Sequence, residues 1–417
     1  MRILHVTDSY LPTIGGMERA IRGLTRQRTS EGHAVMVLTG ELPDAPRDET
    51  DAGVRIMRRP MATQLIPGGL TDPMRPSNAT LPDPLFDKAV REAIREHQPD
   101  VIHCHGWSRF SVIPVAAKMR VPVVATAHDY GFACATKQGT LPDGTVCTGP
   151  SVKKCVAHSL AHYGVKGAPI ALGLRAMAAR QRHLTATGIS RPIREFGSGT
   201  GYQPPFMADI PSFVPDEVLT VTDDTKPEWA PDEPYVMFVG ALTKYKGLEV
   251  LLESQRILRH TFEMDVPLLI IGTPQPDTPA IQRANITVRR NVAHEDVMRA
   301  WRHATVGTAP SVWPEGFGQV VVEALAAGTP MIGTNHGGIA EIITHNVDGI
   351  LVPPNDPRAL ADAIAELWRD PHTRERLSRA GERRACDFTL SVVGPRFLGV
   401  YRQAIDQFQP GDAGSRS

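Results

Sequence analysis

What the chain lacks narrows its function before any motif is read. Lys plus Arg and Asp plus Glu each total 45 in 417 residues, so no net charge draws it toward nucleic acid or a membrane. No apolar run is long enough to span a bilayer. The opening Met1-Arg-Ile-Leu-His-Val-Thr-Asp8 reads as a short strand without a signal peptide's apolar core. The expectation is a cytoplasmic protein with no nucleic-acid partner and no membrane association. Five cysteines at 104, 134, 147, 155 and 386, odd in number and unevenly spaced, do not form a disulfide framework. No Gly-x-Gly-x-x-Gly follows the first strand, and the second ends in Gly40 rather than an acid, which argues against a nicotinamide dinucleotide. No Asp-x-Asp motif stands out, so no catalytic metal is expected.

What is present has an α/β pattern. At 41% hydrophobic and 22% charged the composition is that of an ordinary soluble protein, and its length favours two domains. Residues 3–7 read as a buried parallel strand, Gly15-Gly16 as the turn into a helix over 17–30, and 34–39 as a second strand. This βαβ opening is Rossmann-like. A Gly/Ser/Thr run with Pro204-Pro205 marks a hinge, and a second strand-loop-helix pattern carries Lys244 and Lys246 after Tyr235-Val-Met-Phe-Val-Gly240. The expected domains are 1–206 and 207–392, with a last helix and a disordered tail in 393–417.

The densest stretch is Trp313-Pro-Glu-Gly-Phe-Gly-Gln-Val-Val-Val-Glu-Ala-Leu-Ala-Ala-Gly328. Gly316, Phe317 and Gly318 lead into a helix closed by Gly328 and Pro330. A helix N-terminus suits a phosphate or diphosphate. Glu315 before it and Glu323 inside it suit hydroxyl pairs. The plain alternative is a loop and core helix that happen to carry two glutamates. Glu323 interrupts an apolar run, however, and a buried carboxylate needs a partner. A nucleotide-sugar site is the stronger reading. His128, at the C-terminal end of a buried strand, stands where doubly wound sheets place ligands, with His103 and His105 ending the preceding strand.

Cys134, Cys147, Cys155 and His158 lie in a loop-like segment, and three thiolates with an imidazole can hold a structural zinc. Three unpaired thiols are the alternative. Residues 153–183 are basic and read as a solvated helix face, because Tyr163 is their only aromatic.

Glu315-Gly-Phe-Gly, Glu323-Ala-Leu-Ala-Ala-Gly-Thr-Pro and the following Asn335-His-Gly-Gly to Asp356 together resemble the signature of retaining glycosyltransferases of family 4. The resemblance extends to Gly15-Gly16, His128 and Lys246. It implies the GT-B fold: two Rossmann-like domains facing across a cleft, with the C-terminal helix crossing back to the first. It implies a UDP- or GDP-sugar as donor and, with no membrane face, a small-molecule acceptor. His128, Lys246 and Glu315 would be catalytic. Gly15, Gly16, Lys244, Gly316, Phe317, Gly318 and Glu323 would bind the donor, and no cofactor would be needed for catalysis. Some family members carry a comparable cysteine cluster. The family commonly has arginine where this chain has Ala241. Other readings are an epimerase or hydrolase of nucleotide sugars on the same fold, or a non-catalytic sugar-nucleotide-binding subunit.

Overall fold

The computed structural model describes residues 1–408 apart from 14, 67–71, 73, 182–183, 203, 205, 221–222 and 282–283. Arg182 and His183 of the basic stretch and the tail 410–417 lie outside the described residues. The chain divides into two compact α/β units. The first contains Met1–Asp143, Cys147–Ser212 and the chain from Val393 on; the second contains Gly144–Val146 and Phe213–Val392.

The first unit is built on β1 (Arg2–Thr7), β2 (Ala34–Gly40), β3 (Asp48–Asp51), β4 (Val54–Arg59), β5 (Val101–His105), β6 (Val123–Ala127), β7 (Thr185–Gly188) and β8 (Phe206–Asp209). Their order is β3-β4-β2-β1-β5-β6-β7-β8, parallel throughout except for the β3–β4 pair. Ile3, Leu4 and Val6 of β1 are fully buried, as a central parallel strand covered on both faces must be. Aligned βα loops follow from that order, so the C-terminal ends of β1, β5 and β6 lie side by side. The register sets His5 beside His103 and Thr7 beside His105.

β8 is a correction to the sequence reading, which starts the second α/β pattern near 207. The turns through the Gly-rich run bring the chain back beside β7, and an Arg194–Asp209 ion pair at 2.9 Å holds the edge. The boundary falls after Ser212.

The second unit has β9 (Val236–Val239), β10 (Leu268–Ile271), β11 (Ile286–Arg289), β12 (Val306–Ala309), β13 (Met331–Thr334) and β14 (Ile350–Val352). They form an all-parallel sheet in the order β11-β10-β9-β12-β13-β14. The strand order reverses between β9 and β12, the topological switch point of such a sheet, where its ligands bind. The loops after β9 and β12 carry Lys246 and Glu315.

Candidate nucleotide-sugar site

In the second unit the loop after β12 is held by backbone packed on backbone. Gly337 has φ +62, and a Cβ there would lie 2.5 Å from the Glu315 nitrogen; one on Gly338 would lie 2.5 Å from the Phe317 Cα. Gly338 N–H donates to the Glu315 carbonyl at 2.7 Å. The neighbouring lysine loop is as close, since a Cβ on Gly247 (φ +76) would meet the Pro310 carbonyl at 1.8 Å. Only glycine fits these places.

That packing buries Glu315 and brings its Oε1 within 2.6 Å of both Lys246 Nζ and Ser311 Oγ, each of which donates to it. Burial pushes the carboxyl up, but Lys246 and these hydrogen bonds outweigh it and hold Glu315 below its ordinary value. Lys246, about a third exposed, has its Nζ 5.7 Å from the Trp313 ring centre. His336 Nε2 donates to the Ser311 carbonyl at 3.0 Å and stiffens the same loop.

Gly318, at φ +111, starts the helix Gln319–Ala326, and no side chain caps that end. Phe317 turns inward onto Phe388, ring centres 5.5 Å apart, so Gly316, Phe317 and Gly318 contribute backbone rather than side chains to the turn. Glu323 is buried one turn inside the helix, its Oε1 2.9 Å from His294 Nε2. Lys244 directs its ammonium over Tyr245 at 5.4 Å, and its N–H donates to Asp277.

In the first unit the strand ends carry a chain of imidazoles. His5 Nδ1 is 3.1 Å from His105 Nε2, and His105 Nδ1 is 2.9 Å from His128 Nε2. His103 is held separately, by the Tyr401 hydroxyl and by Thr126, each at 2.7 Å. Burial lowers all four: His5 to about 3, His128 to about 4, His103 and His105 well below the usual value. They are neutral near pH 7 and each ring carries one N–H.

His5 Nε2 is buried without a hydrogen-bond partner and lies in the field of Arg28. A stranded lone pair is tolerated there far better than a stranded N–H. The His5 proton therefore sits on Nδ1 and donates to His105, which in turn donates from Nδ1 to His128. His128 then carries its own proton on Nδ1.

Among the described residues His5, His103 and His105 form the one cluster whose ligand atoms lie within 4.8 Å of one another. Their nitrogens are already committed to the bonds above, save His5 Nε2. Cys134, Cys147, Cys155 and His158 are not gathered in that way. Cys134 Sγ lies 3.2 Å from Thr136 Oγ1, and Cys147 Sγ donates to the Gly149 carbonyl. His158 is near His162. Gly15 is in extended backbone at the start of the helix Gly16–Ser30, where a Cβ would meet Glu18 Oε2 at 2.4 Å.

Two family models match the chain: Glycosyl transferase 4-like domain over residues 15–188, and Glycosyl transferases group 1 over residues 221–384. The chain belongs to the family 4 glycosyltransferases. D-inositol 3-phosphate glycosyltransferases of Corynebacterium diphtheriae and Kribbella flavida are 30% and 29% identical to this glycosyltransferase. Those matches cover 40% and 77% of this chain, and 42% and 76% of the relatives. Sucrose-phosphate synthase from Thermosynechococcus elongatus has the same fold at a TM-score of 0.72 and 21% identity, covering 97% of this chain and 100% of its own. Anabaena HepE in complex with UDP-glucose does so at 0.65 and 15%, covering 96% and 99%. The fold is therefore of the GT-B type.

Sequence reasoning missed Ser311, His294 and His336 around the two glutamates of the second unit, and the His5 end of the imidazole chain in the first. Asp8 is another. Its buried carboxylate accepts the N–H groups of Trp107 (2.8 Å) and Ser108 (2.6 Å), and Gly106 at φ +72 leaves room for it. A His at the start of a helix or a Ser after a strand is too common to signal such a role. Only His5, alternating inside an apolar strand, carried a readable hint.

Proposed function

We propose that this glycosyltransferase moves a sugar from a nucleoside-diphosphate sugar to a hydroxyl or thiol of a small-molecule acceptor, with retention at the anomeric carbon and without a catalytic metal. The observation that carries the reading is the buried Glu315 paired with Lys246 beside an uncapped helix N-terminus. The UDP-glucose held by HepE supports the donor class, and the inositol phosphate named for the relatives supports a small hydroxylated acceptor.

In this reading carbon–oxygen cleavage puts positive charge on the sugar ring and extra negative charge on the departing diphosphate. Lys246 and the N–H groups at Gly318–Gln319 stabilise the diphosphate, which draws the ammonium partly away from Glu315. Glu315 then accepts from hydroxyls of the transferred sugar, and Glu323, positioned by His294, accepts from the ribose. The acceptor attacks on the face the diphosphate leaves, and its proton passes to the leaving phosphate oxygen. Lys244 stands as the alternative cation where the family arginine is Ala241. The second unit takes the donor, and the first, with Gly15-Gly16 and His128, is biased to the acceptor and the sugar.

A thermal-shift panel of UDP-, GDP- and ADP-sugars, with and without magnesium, tests this directly. A donor at ~100 times its dissociation constant stabilises by about 2.7 kcal/mol. One donor is expected to stabilise equally well without magnesium, and NMR of the product should show the donor's anomeric configuration. No shift from any sugar nucleotide, or inversion, overturns the reading.

His128 acts here as a neutral donor from Nδ1 to an oxygen of the transferred sugar, and His105 positions it. His105→Phe is expected to lower kcat/KM by roughly 10- to 100-fold, the usual cost of losing an orienting partner. His105→Asn, which keeps an N–H near the Nδ1 position, should recover most of that. Long-range 1H–15N correlation spectra give an independent readout: His128 should be the Nδ1–H tautomer in wild type and a mixture in His105→Phe. An Nε2–H tautomer in wild type removes His105 from this role.

A further inference from the structure

We infer that the helical hairpin of the first unit is a docking surface for an anionic lipid bilayer. The helices Val152–Tyr163 and Gly167–Gln181 pack on each other around the turn Gly164–Lys166. The inner face of the second helix, with Ala171, Leu174 and Met177, packs onto Trp107 and Phe110. The outer face should then be polar if it only meets water. Instead the second helix exposes Leu172, the first exposes Val152 and Leu160, and the turn presents Val165 at 88% exposure. Leu81, also exposed, borders Gly173 of the second helix.

The charge around these side chains has one sign. Residues 144–194 contain no Asp or Glu, while Lys153, Lys154, Lys166, Arg175 and Arg180 lie on or beside the hairpin. A water-facing helix pair in a chain with balanced totals would mix both signs. Aliphatic side chains gain little from nucleic acid, whose phosphates and base edges take polar contacts. A second copy would bring like charges together. An anionic bilayer accepts both halves, the cations at its headgroups and the aliphatic tip at the acyl boundary. The sequence reading gave a solvated face for lack of aromatics; the exposed Val165 and Leu172 supply the apolar anchors it did not count. No helix among the described residues is long and apolar enough to cross a membrane, so the contact is at the surface.

This docking does not depend on the donor site. The full chain is sedimented with vesicles of phosphatidylcholine alone and of phosphatidylcholine mixed with phosphatidylglycerol. Binding is expected to the anionic vesicles only. Lys153→Gln with Lys154→Gln should weaken it roughly 30-fold, at the ~1 kcal/mol each cation contributes near such a surface. Val165→Asp with Leu172→Asp should weaken it more than about tenfold, while an unchanged melting temperature shows that this variant is folded. Equal binding to both vesicles, or undiminished binding by the Asp variant, overturns the inference. So does self-association that the Asp variant dissolves without any vesicle binding.

Discussion

Replacing Lys246 with alanine is expected to lower kcat by roughly 100- to 1,000-fold while weakening nucleotide affinity far less. An ammonium ~5 Å from charge that grows on the leaving diphosphate contributes about 3 kcal/mol at an effective dielectric of ~20. That energy is realised mostly in the transition state, so it appears in kcat rather than in binding. Steady-state kinetics with the donor identified by thermal shift decides it, and an unchanged kcat removes Lys246 from the mechanism.

The 2.6 Å bond to Glu315 adds a second, separable consequence. Without Lys246 the buried carboxylate loses the cation that offsets its burial. In wild type Glu315 is held below its ordinary value, so its stabilisation is present above that value and is lost as pH falls through the lower folded one. In the variant burial wins, the folded value rises, and the sign reverses: the carboxyl then favours folding at lower pH. The melting-temperature gap between Lys246→Ala and wild type should therefore narrow from pH 7 to pH 5. Adding Glu315→Gln to Lys246→Ala should restore stability but not turnover. A double variant as unstable as the single one would show that the loss comes from packing and not from the stranded charge.

The parts of this site legible in the sequence are those where a residue type is almost the only solution. Gly318 and Gly328 mark the ends of the helix between them because their left-handed backbone, φ +111 and +75, excludes most side chains. Gly337 is conspicuous for the same reason, and Gly338 because a Cβ there would meet the Phe317 backbone. What the sequence did not show is pairing across long separations. Lys246 and Glu315 are 69 residues apart, Glu323 and His294 29, His5 and His105 100, and Tyr401 and His103 298. Each pair is brought together by a sheet whose order is not the chain order, or by helices packed around it. The same ambiguity misplaced β8, a short strand that either sheet could have taken by pattern alone. In the basic stretch the sequence shows the charges but not which aliphatic residues face out: Val152, Leu160, Val165 and Leu172 are exposed while Ala171, Leu174 and Met177 are buried.

The buried imidazoles carry the largest expected effect on stability. His5, His103, His105 and His128 are neutral in the folded chain because burial lowers each of them. In the unfolded chain each takes up a proton near pH 6.5. A group lowered on folding leaves stability intact above its unfolded value and removes it as pH falls toward the folded one. With folded values of about 3 and about 4, His5 and His128 each withdraw about 2 kcal/mol by pH 5, a large share of the stability of an ordinary domain, and His103 and His105 act in the same direction. Asp8, raised by burial, works in the opposite sense, but it is one carboxyl against four rings. Hydrogen exchange of peptides from β1 and β5 reports this unit locally. Their protection should fall steeply between pH 6.5 and 5, and with a dependence shallower by about one proton in His5→Phe. Protection that is flat across that range would mean that the rings meet water or take up protons in the folded state, and the directional His5–His105–His128 chain would then be lost with it.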